Sequence, residues 1–351
     1  MGKASTERAN VLLACVGMVA ITPCGGSPSS PDATAVVDAA PAADAPCGTG
    51  CATPDPGAPG PYASHTATVD LAFADGKSAT LTLYVPDTAG PLPVVVFLHG
   101  FQLTTDLYAS YGTHLASWGY VVVMPQMPSG LIGGPTHVQL AGYLGEVLDW
   151  VAGPGNATGP LAGKVDATHI GLAGHSMGGK IAMLRATQDA RPRAVFGVDP
   201  VDAAGSPLPV SATDYPSVTP ELMAKVTVPI AMLGETTNAT CSGALCQACA
   251  PAADNFQQYY TSATGPALQI EITGANHVSF LDNPSCGFTC SACPAGTDTP
   301  ATSRALTQRY MTAFFNVELR QQAAYRSYLD GADMANDVAS GAVTTAHKNG
   351  F

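Results

Sequence analysis

One serine, one histidine and a short choice of carboxylates carry the residue types and spacing that could attack a carbonyl carbon. Ser176 lies in Gly174-His175-Ser176-Met177-Gly178, a G-x-S-x-G pattern. An apolar run, Ile170 to Ala173, precedes it and a helix-forming stretch beginning at Lys180 follows at once. A serine on a tight strand-to-helix turn is pushed out at the end of a sheet, with helical N–H groups facing whatever it attacks. Gly174 and Gly178 flank it because side chains there would collide with neighbouring backbone.

A serine hydroxyl is a weak nucleophile near neutral pH, so a base must take its proton. His277, in Gly274-Ala275-Asn276-His277-Val278, is the leading candidate, because its loop follows a predicted strand and can return to the serine turn. His99 and His175 belong to strand-end motifs. His114, His137 and His169 fall on predicted elements, His65 starts a hairpin, and His347 lies in the tail. A third member must orient the imidazole and stabilise its charged form. Asp199, directly after the strand Ala194 to Val198, is the first choice, and it gives the chain order Ser, Asp, His of α/β-hydrolases. Glu235, directly after the following strand, is the alternative acid, and Asp202 is a third option. A developing oxyanion needs two fixed donors, which the backbone N–H groups of Met177 and Phe101 would supply. Phe101, His175 and Met177 are the residues placed nearest a bound substrate. No metal or other cofactor is called for.

These residues need elements to hold them. Two alternating runs, His65 to Phe73 and Ser78 to Val85, flank Ala74-Asp75-Gly76-Lys77 and read as a hairpin. Pro93 to Leu98 is a continuous apolar run, as in a strand covered on both faces. Helices over about Asp106 to Trp118, Thr136 to Val151 and Ser303 to Leu319 alternate with further strands at Tyr120 to Met124, Val228 to Leu233 and Ala267 to Ile272. The expected architecture is α/β: an α/β-hydrolase fold with an eight-stranded, mostly parallel, doubly wound sheet and helices on both faces.

The chain of 351 residues has a formal net charge of −12, which gives no basic field to attract nucleic acid. Residues 1–24 read as an export signal: Lys3 and Arg8 open it, and Val11 to Ile21 is an apolar core too short to span a bilayer. Ile21-Thr22-Pro23-Cys24 resembles a bacterial lipobox with Pro23 in place of a small residue, so lipidation of Cys24 and simple cleavage are both open. Either outcome puts the protein outside the cytoplasm, secreted or lipid-anchored at the envelope. Residues 25–62 are Ala, Pro, Asp, Gly and Ser without apolar period and read as a disordered tether carrying Cys47 and Cys51. The catalytic domain is expected over residues 63–330, with a flexible tail over 331–351, and the protein is expected to be a monomer.

Cys241, Cys246 and Cys249 form one cluster, and Cys286, Cys290 and Cys293 another. A four-thiolate zinc site is one reading of their spacing. In an exported chain, disulfides are the stronger one, with connectivity left open. Asn156-Ala157-Thr158 and Asn238-Ala239-Thr240 match a glycosylation sequon that a bacterial-type signal makes uninformative.

The segments PVVVFLHGFQLTTDLYASYGTHLASWGYVVVMPQM, GHSMGGK, AVFGVDPVDAAG, CAPAADNFQQYY and ANHVSFLDNPSC resemble chlorophyllase-related α/β-hydrolases over about Leu92 to Asn283. The resemblance implies an acid in Gly197-Val198-Asp199-Pro200-Val201 and a base in Asn276-His277. The elbow departs from the plant pattern, with Met177 where those enzymes usually have Arg. Its G-H-S-M-G-G form and the tail RALTQRYMTAFFNVELRQQAAYRSYL are similar to bacterial cutinases and polyester hydrolases. The departure argues against chlorophyll as substrate and leaves ester chemistry intact.

The expected function is therefore an exported serine esterase that forms an acyl-enzyme on small-molecule or polymeric esters, with polyester cleavage or chlorophyllase-like activity as its variants. A peptidase or acyltransferase would use the same triad. A non-catalytic binding module is disfavoured by the intact set of groups.

Overall fold

A computed structural model describes residues 53–130, 133–205, 209–241 and 248–351. The expected export signal over residues 1–24 with Cys24, the expected tether as far as residue 52 with Cys47 and Cys51, and Cys246 lie outside the described residues. Among the described residues nine strands form one sheet: β1 (Ser64–Ala72), β2 (Ser78–Pro86), β3 (Leu92–Leu98), β4 (Val121–Gln126), β5 (Val165–His175), β6 (Pro192–Val198), β7 (Ile230–Gly234), β8 (Ala267–Ile272) and β9 (Val343–Lys348). Their order is β1-β2-β4-β3-β5-β6-β7-β8-β9. The strands from β4 through β8 in that order run parallel, while β1, β2 and β9 pair antiparallel at the two edges.

The apolar runs explain the layering. Along β3, Val95 and Phe97 enter the core on one face with Tyr108, Tyr111, Phe314 and Phe315. Val94, Val96 and Leu98 enter the core on the other with Leu140, Leu144, Ile181 and Met183. Alternate side chains of a strand point to opposite faces, so a run buried throughout is the mark of a strand sandwiched between helices. The helix His137–Ala152 opens with a capping box in which Thr136 and Gln139 satisfy each other's backbone N–H groups. The helix Pro300–Glu318 lays Tyr310, Met311, Phe314 and Phe315 against the sheet.

Two boundaries and one count differ from the sequence reading. The sheet has nine strands, not eight, because β9 adds to the edge of β8. Residues 331–351 are therefore not a loose tail: a helix, Ala332–Ala339, and β9 fold back on the domain. Phe351 is buried and its ring stacks on Phe314 at 6.2 Å. At the other end, the segment before residue 63 is already packed. Tyr62 N–H donates to the Ser117 carbonyl and the Trp118 indole N–H to the Ala58 carbonyl. His114 Nε2–H donates to the Pro56 carbonyl, and Asp55 pairs with Arg309 at 3.4 Å.

Cys249 is joined to Cys293, and Cys286 to Cys290; Cys241 is disulfide-bonded as well. The bridges consume the thiolates that a zinc site would need. Cys249–Cys293 ties the loop after β7 to the loop after β8. Cys249→Ser in the oxidised protein should cost about 2–4 kcal/mol, the usual effect of opening a long disulfide loop, read as a lower melting temperature that reductant no longer shifts by the same amount.

Candidate active site

Ser176 is where β5 ends and the helix Met177–Ala186 begins. Its backbone sits at φ 55°, ψ −123°, a conformation a side-chain-bearing residue rarely adopts. The turn is held from both sides: Ser176 N–H donates to the Val198 carbonyl, and Val201 N–H to the Ser176 carbonyl. A Cβ on Gly178 would lie 2.3 Å from the Leu98 carbonyl oxygen, and one on Gly174 would lie 2.5 Å from Gly178 backbone. Only glycine lets strand and helix approach this closely.

The structure brings Ser176, His277 and Asp199 into one line. Ser176 Oγ and His277 Nε2 are 2.9 Å apart, and His277 Nδ1 is 2.6 Å from Asp199 Oδ2. Asp199 turns out of β6 through φ 43° and is fully buried. A carboxylate can only accept, so Nδ1 carries the proton and donates, leaving Nε2 as the acceptor for the serine O–H. Burial holds His277 down to about 4, so its ring is neutral at neutral pH and free to take a proton.

Glu235 does not bond His277. It accepts Asn238 N–H through Oε2 at 2.8 Å and stands behind Asp199. Asp202 is further removed in role: its carboxylate accepts the N–H groups of Val218 and Thr219 and pairs with the buried Lys180 at 3.3 Å. It anchors the loop after β6 to the elbow helix.

Met177 and Phe101 are both half-buried beside the serine turn. Met177 is the first residue of its helix, where N–H groups lack an intrahelical acceptor, and it leans on an apolar recess lined by Leu98, Met127, Leu140 and Ile181. The loop carrying Phe101 is shaped by His99, whose Nδ1–H donates to the Gly100 carbonyl while Nε2 accepts Met127 N–H.

His175 is a correction to the sequence reading. It is fully buried, and both ring nitrogens are engaged within the protein, so it does not line a substrate site. Nε2 donates to the carbonyl of His277 at 2.9 Å, which leaves Nδ1 to accept from the Tyr108 hydroxyl at 2.8 Å. That hydroxyl in turn accepts Gly100 N–H at 3.1 Å. A single chain of hydrogen bonds thus links the Phe101 loop, the elbow and the His277 loop. Tyr108→Phe would leave Gly100 N–H and His175 Nδ1 buried without a partner, at about 1–3 kcal/mol for such groups. It should lower both the melting temperature and turnover while KM changes little.

Two residues that pattern reading passed over support the base. Asn238 Oδ1 accepts His277 N–H at 2.8 Å, and its Nδ2 donates to the Pro294 carbonyl. Asn276 Nδ2 donates to the same carbonyl. Asn238 is fully buried, so its sequon offers no acceptor for a glycan. The signal available in the sequence was a polar Asn a few residues after a buried strand. Tyr108 gave no such signal, since an aromatic residue near a helix start reads as core.

A family model described as Chlorophyllase matches residues 57–337. Chlorophyllase-2 of Arabidopsis thaliana is 28% identical over 218 residues, covering 59% of this chain and 66% of that protein. Chlorophyllase-1 of the same plant is 30% identical over 213 residues, covering 58% and 63%. Chlorophyllase type 0 of Chenopodium album is 26% identical over 300 residues, covering 77% and 79%. The chain thus spans just under two thirds of the length of the two Arabidopsis proteins it matches.

Proposed function

Because this chain belongs to the chlorophyllase family of α/β-hydrolases, we propose that it is an exported serine hydrolase that cleaves carboxylic esters through an acyl-enzyme on Ser176. The observation that carries this reading is the continuous line from Ser176 Oγ through His277 to Asp199 at the end of the parallel sheet.

The chemistry follows from the donors and acceptors. As Ser176 Oγ attacks the ester carbonyl, its proton moves to His277 Nε2. Asp199 stabilises the imidazolium so formed and keeps the ring from turning. The carbonyl oxygen gains negative charge and is met by Met177 N–H and Phe101 N–H. The tetrahedral adduct collapses as His277 returns the proton to the departing alcohol. A water activated by the same histidine then releases the acid. The disulfides Cys249–Cys293 and Cys286–Cys290 support an oxidising compartment, the compartment that the sequence of residues 1–24 leads one to expect.

The substrate reading is a short- to medium-chain ester. The apolar, flexible side chain of Met177 beside the nucleophile suits varied acyl groups, and the relatives' name makes chlorophyll the comparison substrate. The test is a panel of p-nitrophenyl esters of graded chain length beside a polyester film and chlorophyll, with a serine-reactive organophosphonate as label. The expected result is covalent labelling at Ser176 and a higher kcat/KM for p-nitrophenyl butyrate than for chlorophyll. No ester turnover and no labelling of Ser176 would overturn the hydrolase reading. Preference for chlorophyll would overturn the substrate class alone.

A further inference from the structure

We infer that Glu235 is a neutral carboxylic acid that donates a hydrogen bond to Asp199 and so acts as a positioning residue for the triad. The inference rests on the triad reading of Ser176, His277 and Asp199 and adds a fourth group to it.

The geometry begins with two carboxyls on neighbouring parallel strands. Val198 of β6 is in register with Leu233 of β7, so the residues that follow emerge side by side. Asp199 N–H donates to the Leu233 carbonyl, and Glu235 N–H donates to Asp199 Oδ1 at 3.3 Å. The approach is close enough that a Cβ on Gly234 would lie 2.6 Å from Asp199 Oδ1. Asp199, Glu235 and His277 each present an atom within 4.8 Å of the others, and both acids are fully buried.

Two buried carboxylates at this separation need a compensating charge, and among the described residues no lysine or arginine pairs with either. His277, the titratable nitrogen group that Asp199 contacts, is neutral in the resting site, and so is the buried His175 behind it. Like charges so placed cannot both ionise, and the pair keeps one proton.

The hydrogen-bond inventory says where that proton sits. Asp199 Oδ2 receives His277 Nδ1–H at 2.6 Å, and Oδ1 receives a backbone N–H, so this carboxyl is furnished as the anion. Glu235 Oε2 receives Asn238 N–H, while its Oε1 is buried with no hydrogen-bond partner among the described residues. A buried carboxylate oxygen with nothing to accept is costly. As Oε1–H aimed at Asp199, the same atom becomes a donor with an acceptor beside it. Burial raises both carboxyls above the ordinary range; the charge on Asp199 raises Glu235 further, while the hydrogen bonds Asp199 receives from Glu235 pull it back down, in agreement with this placement. A cation held by the three residues would need room between His277 and Asp199, and their 2.6 Å contact leaves room only for a proton.

The arrangement steadies the Asp199 carboxylate, which otherwise has one long backbone N–H apart from the histidine itself, and it does so without adding a second negative charge beside the imidazolium. Glu235→Gln is the diagnostic variant. Its amide can donate to Asp199 and accept Asn238 N–H, as the neutral acid does. It should keep kcat/KM within about tenfold of wild type and leave the acid limb of the pH profile in place. Glu235→Leu removes the donor and should lower kcat by about ten- to a hundredfold, the scale of one hydrogen bond to a charged acceptor, at a melting temperature that shows the protein folded.

Infrared spectroscopy gives a readout that does not depend on turnover. The C=O band of a protonated carboxyl should be present at neutral pH in wild type and in Ser176→Ala, and absent in Glu235→Gln. Loss of activity in Glu235→Gln as severe as that in Asp199→Asn would overturn the inference. So would a band that survives Glu235→Gln and vanishes in Asp199→Asn. Full activity in Ser176→Ala would instead sink the triad reading, with the infrared result still standing on its own.

Discussion

Ser176→Ala should lower kcat for any cleaved ester by about a million-fold, the size of loss found when a triad nucleophile is removed. The reason lies in the turn. The hydroxyl is 2.9 Å from His277 Nε2 and is held there by a backbone conformation that Gly174 and Gly178 make sterically possible. No neighbouring group can substitute: among the described residues, the hydrogen bond to His277 Nε2 comes from Ser176 Oγ. The fold should be untouched, since the serine side chain makes no other hydrogen bond that holds elements together, so the melting temperature should match wild type. Steady-state assays with p-nitrophenyl butyrate on a preparation free of wild-type protein measure the effect. Residual turnover within tenfold of wild type would remove the acyl-enzyme mechanism altogether.

Asp199→Asn should cost about ten-thousand-fold in kcat at neutral pH, the scale of the equivalent change in a well-studied triad. An amide at this position can turn its N–H₂ toward His277 Nδ1, which forces the ring proton onto Nε2. The base then faces the serine with a proton it cannot exchange for another. Activity should recover in part as pH rises and hydroxide takes over the role of base. A rate profile from neutral to alkaline pH, compared with that of wild type, reads this directly. If Asp199→Asn retained most of its activity, the acid would have to be sought on the following strand.

Which acid serves His277 was the point that the residues alone left open, and the reason is geometric. Asp199 and Glu235 each follow a buried strand by one residue, and those strands are parallel neighbours in register. Chain position is therefore nearly equivalent for the two. What separates them is the φ of 43° at Asp199, which swings its side chain under the imidazole, and no composition or spacing encodes that. The central strands were legible because a run such as Val94 to Leu98, buried on both faces, has a pattern that solvent-exposed structure does not produce. Ala267–Ile272 was read to the residue.

β9 was missed for the opposite reason. Val343-Thr344-Thr345-Ala346-His347-Lys348 has one fully buried residue, so an edge strand with little apolar content looks like loose chain. Tyr108 and Asn238 were missed because their roles are relational: each matters through what it touches across the fold, at separations along the chain that no local window sees. His175 shows the same limit in reverse, since adjacency to the nucleophile in sequence places it beneath the site and not in it.

The modest strand β9 also governs how the molecule meets its own copies. β8 is Ala-Leu-Gln-Ile-Glu-Ile, largely buried, and without β9 its outer backbone donors and acceptors would face solvent as a template for another chain. β9 occupies that row and presents in its place an edge of threonine, histidine and lysine. At the far side of the sheet β1 does the same with half its residues exposed. The net charge of −12 sets copies of the chain against one another at long range, but backbone pairing at a bare strand edge acts at contact. The two polar edges therefore close the strand-to-strand route by which copies of a sheet protein join.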